Sequence, residues 1–262
     1  MKRQYGLKFD EQKPEDYVFG GGFVPFECLQ PDGDWSEHLP VKEFQNLQNI
    51  EPYACVSFTI LNCIEILIKR QYGEERNYSD RFLAAISGTK EGGNTPKTVC
   101  EFLRKVGIVP QDLWPFDYSV TSFEKFYEPV PPKLYELAKE FNDEFIFKYE
   151  IVPSNHEAIS KALQSSPLLF SVCGWHKNAD GLYYRPNGMD DNHATTLIST
   201  PQNRFKRVFD TYADGDTDPA LKDLIWGDLP KIAFRFYVKK RITPIKGNWF
   251  TNLIRGLFYG EF

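Results

Sequence analysis

The chain of 262 residues contains no C-x-x-C pair, no internal repeat and no low-complexity tract. Its five cysteines, Cys28, Cys55, Cys63, Cys100 and Cys173, are odd in number and scattered. That spacing suits neither a disulfide framework nor a zinc site, and it fits a reduced compartment. No apolar run approaches the length of a membrane span. The opening M-K-R-Q-Y-G-L-K-F-D lacks the apolar core of a signal peptide, so the expected location is the cytoplasm or a virion. An excess of positive charge is also missing. Lys and Arg number 31 against 36 Asp and Glu, a formal net charge of −5, so no nucleic-acid partner is expected.

Two motifs that would imply a bound ion fail on inspection. D-G-D-T-D at 214–218 has the alternating acids of a calcium loop. Pro219 stands where the loop needs Gly, and Ile225 where it needs a bidentate Glu, so a solvated turn is expected. G-G-G at 20–22 is not followed by a phosphate-binding helix. No metal and no cofactor are therefore expected. Asp190 and Asp191 are adjacent on a turn, point apart, and read as turn formers rather than paired acids.

What is present is a core-forming composition, 42% hydrophobic and 16% aromatic. It suffices for one large domain or two compact halves. Residues 1–23 read as an arm laid over the surface or a short pro-segment. Residues 24–47 are turn-rich. The stretch Gln48–Gly73 is apolar on nearly every side and predicts a buried helix, with Pro52 in its first turn and Gly73 as its stop. Shorter helices are expected over 78–88 (Ser79 as N-cap), 96–107 (Val99, Phe102, Leu103 and Val106 on one buried face), 133–141, and 155–165 after a Ser154 cap. The loop E-G-G-N-T-P lies at 91–96. Strands are expected at 145–152, 168–175, 182–184, 194–200, 207–212 and 232–238. Helices first and strands later predict an α+β fold. The tail 241–262 is apolar and reads as a docked helix, or as a contact with a protein assembly or a membrane.

One thiol, Cys55, falls near the positive end of the long helix, where a thiolate is stabilised. It also fits as a small core residue. A nucleophilic thiol needs a base, and the base an orienting group. Of the four histidines, His38 precedes a proline, His156 opens a polar helix and His176 ends a strand. His193 begins a strand after the turn P-N-G-M-D-D-N. If the next strand pairs with it antiparallel, Asp210 comes alongside and can hold the ring.

These residues in this order resemble the papain-like cysteine peptidases. K-E-F-Q-N-L-Q-N-I-E-P-Y-A-C-V-S-F is similar to that family's run from oxyanion glutamine to nucleophile. The segment ending G-G-N-T-P is similar to its paired cleft glycines, and F-L-R-K-V-G-I-V-P-Q-D-L-W-P-F to its crossover between lobes. N-H-A-T-T-L and V-F-D-T-Y-A-D-G are similar to its histidine and asparagine strands. The match runs from residue 34 to about 238.

The resemblance is to a divergent member of bacterial, phage or other microbial type. It implies a two-lobe fold of residues 24–240. A helical lobe over about 48–110 carries the central helix, and a β-barrel-like lobe covers about 111–240, with a cleft between them. It implies a polypeptide substrate, Cys55 as nucleophile, His193 as general base and Asp210, in place of the usual Asn, as the orienting group. Gln48 or Asn49 would complete the oxyanion hole. Gly92 and Gly93 would pair with an extended substrate, and Tyr212 would shield the histidine's hydrogen bond. Tyr53 replaces a cleft-wall glycine and would narrow the site or fold over it. A catalytically silent homologue, serving as a structural or binding module such as a virion or surface-assembly component, is the other reading of the same residues.

Overall fold

The computed structural model describes residues 5–47, 50–213 and 220–242. The apolar tail, Gln48, Asn49 and the acidic turn at 214–218 lie outside the described residues. Six helices are described: α1 Cys55–Tyr72, α2 Asp80–Ile86, α3 Pro96–Val106, α4 Phe123–Phe126, α5 Pro132–Glu144 and α6 His156–Leu163. Six strands accompany them: β1 Phe145–Val152, β2 Leu168–Val172, β3 His193–Ser199, β4 Phe205–Phe209, β5 Leu221–Ile225 and β6 Ala233–Lys240. The α+β expectation holds. The segment 221–225 had not been read as a strand, nor 123–126 as a helix.

Helix α1 is the core's axis. Every residue from Cys55 to Ile68 is buried, as its all-round apolarity predicts. Each fully buried Ile or Leu there contributes about 1.5–3 kcal/mol. The helix ends at Gly73, whose φ of 68° lets its N–H reach back to the Lys69 carbonyl at 2.9 Å. Its start is later than expected. Ala54 is the N-cap and Cys55 the first helical residue, because Tyr53 takes a φ of 55°. Pro52 therefore stands outside the first turn.

Two smaller expectations also need correction. On α3, Val99, Cys100 and Leu103 are buried, but Phe102 is 40% exposed. On α6 the cap is Asn155, accepting from the Ala158 N–H at 2.8 Å. The Ser154 hydroxyl instead donates to the Pro230 carbonyl.

The strands form one antiparallel sheet in the order β1-β6-β2-β3-β4-β5. It is open, not the barrel-like closure expected. Each edge is covered by a passing loop instead of by the other edge. At β1, Ile151 exchanges backbone hydrogen bonds with Tyr17 and Phe19. At β5, Tyr183 bridges to Leu224, accepting from the Ile225 N–H and donating to the Asp223 carbonyl. Covering both edges removes the unpaired backbone that would otherwise favour closure or self-association. The predicted strand at 182–184 is reduced to this one bridging residue.

A buried ion pair fastens the start of the turn-rich segment to the sheet. Arg235 on β6 donates to Glu150 on β1 at 2.8 Å and to the carbonyls of Val24 and Pro25. Both charged side chains are almost fully buried, and the extra backbone acceptors satisfy the guanidinium.

Candidate active site

The site forms where the start of α1 meets strands β3, β4 and β5. Cys55 is buried at the first position of α1, where the leading backbone N–H groups have no intrahelical partners and the helix dipole is positive. His193 opens β3. In the β3–β4 register Thr196 faces Phe209, which sets Asp210 diagonally across from His193 on the same face. Their side chains meet with 2.7 Å between His193 Nε2 and Asp210 Oδ1, both fully buried. His193 Nδ1 is buried without a hydrogen-bond partner of good geometry. Cys55 nevertheless lies close enough to act on the ring through both hydrogen bonding and charge.

The electrostatics follow from this packing. Burial alone would push the His193 pKa down. The charge and hydrogen bond of Asp210, and then Cys55, raise it to about 9. Burial alone would push Asp210 up. The charges and hydrogen bonds of His193 and Lys222 hold it at about 2. Lys222 on β5 reaches the second Asp210 oxygen at 2.8 Å and the Tyr212 carbonyl at 3.1 Å.

Aromatic rings enclose the imidazole. Tyr212 meets it edge-on at 5.1 Å and Trp175 at 5.6 Å. Tyr212 is buried, and its hydroxyl donates to Glu51 at 2.6 Å. The third ring is Tyr5, 5.0 Å from His193 and 5.3 Å from Tyr212. Tyr5 belongs to the N-terminal arm, for which the sequence leaves open a surface course or a short pro-segment.

Residues 5–8 pass directly across the site. The Gly6 carbonyl accepts from the Asn94 N–H at 3.0 Å, and the Lys8 N–H donates to the Asn94 carbonyl at 2.9 Å. On the other side the Leu7 N–H donates to the Asn192 carbonyl at 3.2 Å. Gly6 is buried and can only be glycine: a Cβ there would sit 2.2 Å from the Tyr53 carbonyl oxygen. Gly93 makes the opposing approach, since its Cβ would lie 1.6 Å from the Gly6 carbonyl oxygen. Gly92, beside it, faces the Lys8 side chain. So the two glycines do border an extended segment, and that segment is the protein's own. Tyr53 borders the arm. Its ring packs at 6.2 Å from Phe123, while its backbone forms the wall against Gly6.

The structure thus brings Cys55, His193, Asp210, Tyr212, Tyr53, Gly92 and Gly93 to one place. Gln48 and Asn49 lie outside the described residues. Nearby Gln45 is buried and donates to the Thr211 hydroxyl at 2.6 Å. His156 stacks on Trp226 at 4.4 Å and His176 lies near Tyr184, both away from this site. Among the described residues no cluster of His, Cys, Asp or Glu could hold a metal, and no helix is long and apolar enough to cross a membrane. Sequence reasoning missed Tyr5, Lys222, Trp175 and Glu51. Lys222 sits in L-K-D-L-I, where it shares the buried face with Leu224 while Leu221 and Ile225 are half-exposed.

The chain has the fold of the papain-like cysteine peptidases. It is similar to xylellain, a cysteine protease from Xylella fastidiosa, with a TM-score of 0.62 and 17% identity over 90% of this chain and 98% of that one. It is also similar to the bromelain protease of Ananas comosus, with a TM-score of 0.58 and 16% identity over 77% of this chain and 96% of that one. Digestive procathepsin L 3 from Tenebrio molitor larval midgut aligns with a TM-score of 0.58 and 13% identity, over 84% of this chain and 73% of that one. Compared by sequence, no family model and no curated protein matches the chain.

Proposed function

We propose that this protein is a cysteine peptidase, held latent by its own N-terminal arm. The observation that carries the reading is the buried His193–Asp210 pair at 2.7 Å, with the free ring nitrogen turned to a thiol at a helix N-terminus. The charge and hydrogen bond of Asp210 favour the protonated imidazole up to about pH 9, so His193 takes the proton of the Cys55 thiol and pairs with the thiolate that attacks. The Cys55 sulfur attacks a peptide carbonyl carbon, forming a C–S bond and an oxyanion. The backbone N–H of Cys55 faces that oxyanion, and Gln48 or Asn49 supplies the side-chain donor. His193 passes its proton to the departing amine nitrogen as the C–N bond breaks. Water then attacks the thioester, His193 takes its proton, and the thiolate leaves. Asp210 keeps the imidazole aimed at the sulfur throughout.

A second reading is favoured by one observation, the arm seated across the site. A fold kept as a binding or structural module has no need of an open cleft, and the arm then serves as permanent packing. The substitution Gly6→Val separates the two, because a side chain there collides with the Tyr53 carbonyl and expels the arm. The peptidase reading predicts that Gly6→Val cleaves an unfolded protein substrate and that Gly6→Val with Cys55→Ser does not. Equal inertness of both variants from mildly acid to mildly alkaline pH contradicts it and supports the module.

A further inference from the structure

The residue most in need of explanation is Lys222. A lysine is almost never fully buried unless paired, and this one has no exposed surface. It is one of three polar side chains supplied by three neighbouring strands: His193 from β3, Asp210 just past β4, and Lys222 from β5. Phe209 faces Leu221 in the β4–β5 register, and the Asp210 N–H bonds to the Ala220 carbonyl at 2.6 Å. Lys222 is therefore the diagonal, same-face neighbour of Asp210. The two Asp210 oxygens are divided, Oδ1 to His193 Nε2 at 2.7 Å and Oδ2 to Lys222 Nζ at 2.8 Å. Trp175 covers both cations, 5.1 Å from the Lys222 ammonium and edge-on to the imidazole.

We infer that Lys222 is a positioning residue for His193: it fixes the Asp210 carboxylate in one orientation and offsets part of its charge, so that the Asp–Lys pair aims the ring as an amide would and holds the imidazolium less tightly than a lone carboxylate. This rests on the peptidase reading for its purpose, though not for its physics. An amide orients an imidazole by accepting its N–H and adds no net charge. A lone buried carboxylate orients it equally well but binds the imidazolium so strongly that the proton is slow to leave. A cation on the far oxygen weakens that pull while the hydrogen bond remains.

The groups facing this trio are few. Cys55 on α1 faces the imidazole. Tyr212 and Glu51 form a hydrogen-bonded pair beside it, and Tyr5 of the arm covers it. A substitution at Lys222 takes a donor from the Tyr212 carbonyl and leaves the charged and titratable partners of the ring in place, so a change in His193 titration reports on the lysine.

The test is a pH titration of the imidazole resonances in the full chain with isotope-labelled histidine, where only four signals need assignment. In Lys222→Met the side-chain volume is kept and the charge removed. The His193 midpoint is expected to rise by about 1–2 pH units. In Asp210→Asn with Lys222→Met, the neutral amide is restored and the midpoint is expected to fall below that of the unaltered protein. A purely structural lysine would leave the midpoint in place. An unchanged or lowered midpoint in Lys222→Met overturns the inference, as does a double variant that titrates no lower than the unaltered protein. The readout needs no turnover. Absence of proteolysis with the expected shifts sinks only the peptidase reading, and proteolysis without the shifts sinks only the role of Lys222.

Discussion

Two buried carboxylates, Asp210 and Asp80, have pKa values displaced in opposite directions. Asp210, near the start of α1, is surrounded by His193 and Lys222 and is held at about 2. Asp80 begins α2 beside Glu65 from the middle of α1 and Glu43 from the preceding loop. Burial raises its pKa far above the usual range, and the charges of Glu43 and Glu65 raise it further. Glu65 is likewise pushed well up by burial while accepting from the Tyr78 N–H at 2.7 Å. Glu43 is raised too, by burial, with Gln111 and Asn77 as donors. Residue type and burial are the same at Asp210 and Asp80, and the neighbours decide the charge. In the first cluster two cations favour the carboxylate; in the second, burial and neighbouring carboxylates favour the protonated acids.

The largest difference between the clusters should appear in activity. With the arm displaced by Gly6→Val, His193→Ala should lower kcat/KM by about a thousandfold or more. Glu65→Gln, which copies a protonated glutamate, should leave kcat/KM within about twofold. Peptide hydrolysis assays check both, and a large loss from Glu65→Gln would break the division. Next in size is the arm itself. Gly6→Val should raise the hydrolysis rate of the full chain by about ten- to a hundredfold, because a covalently tethered segment competes at high effective concentration.

Stability should sharpen the contrast further. Asp210→Asn removes the carboxylate from a buried lysine and should destabilise the fold by about 3–5 kcal/mol in urea unfolding. Asp80→Asn exchanges one neutral group for another and should change stability by less than about 1 kcal/mol at neutral pH. Equal losses would mean that Asp80 is charged after all.

The smallest effect is in the pH profile of stability. Asp210 has a lowered pKa, so its contribution is present above the unfolded value of about 3.9 and is lost as pH falls toward 2. The Asp80 cluster has raised pKa values. Its contribution is full below about pH 4 and is lost as pH rises through the folded values. Asp80→Asn should therefore flatten the alkaline side of a melting-temperature profile and leave the acid side unchanged.

Much of this was legible in the sequence, for local reasons. Helix α1 announces itself by apolarity, and α3 by its periodicity and its Thr95-Pro96 start. The short interval between His193 and Asp210 falls on two consecutive strands, so an antiparallel pair brings them together without long-range information. What stayed hidden depends on distant chain. Tyr5 and Gly6 read as an ordinary polar arm, and only the fit of Gly6 between Tyr53 and Gly93 shows where they go. Lys222 breaks the rule that buried faces are apolar. A reading by hydrophobic alternation turns its strand inside out, and the residue that explains its burial, Asp210, lies in another strand. The open sheet was missed because the segments covering its edges, around Tyr17 and Tyr183, contribute only single bridges.

The central claim is that Cys55 is a nucleophile poised by His193 beneath a removable arm. It is tested most directly by treating the Gly6→Val protein with a peptidyl epoxide and mapping the modified cysteines by mass spectrometry. Cys28 is exposed and the other four cysteines are buried, so accessibility alone favours Cys28. The account predicts modification of Cys55 ahead of Cys28, abolished by His193→Ala. Modification of Cys28 with Cys55 untouched would contradict it.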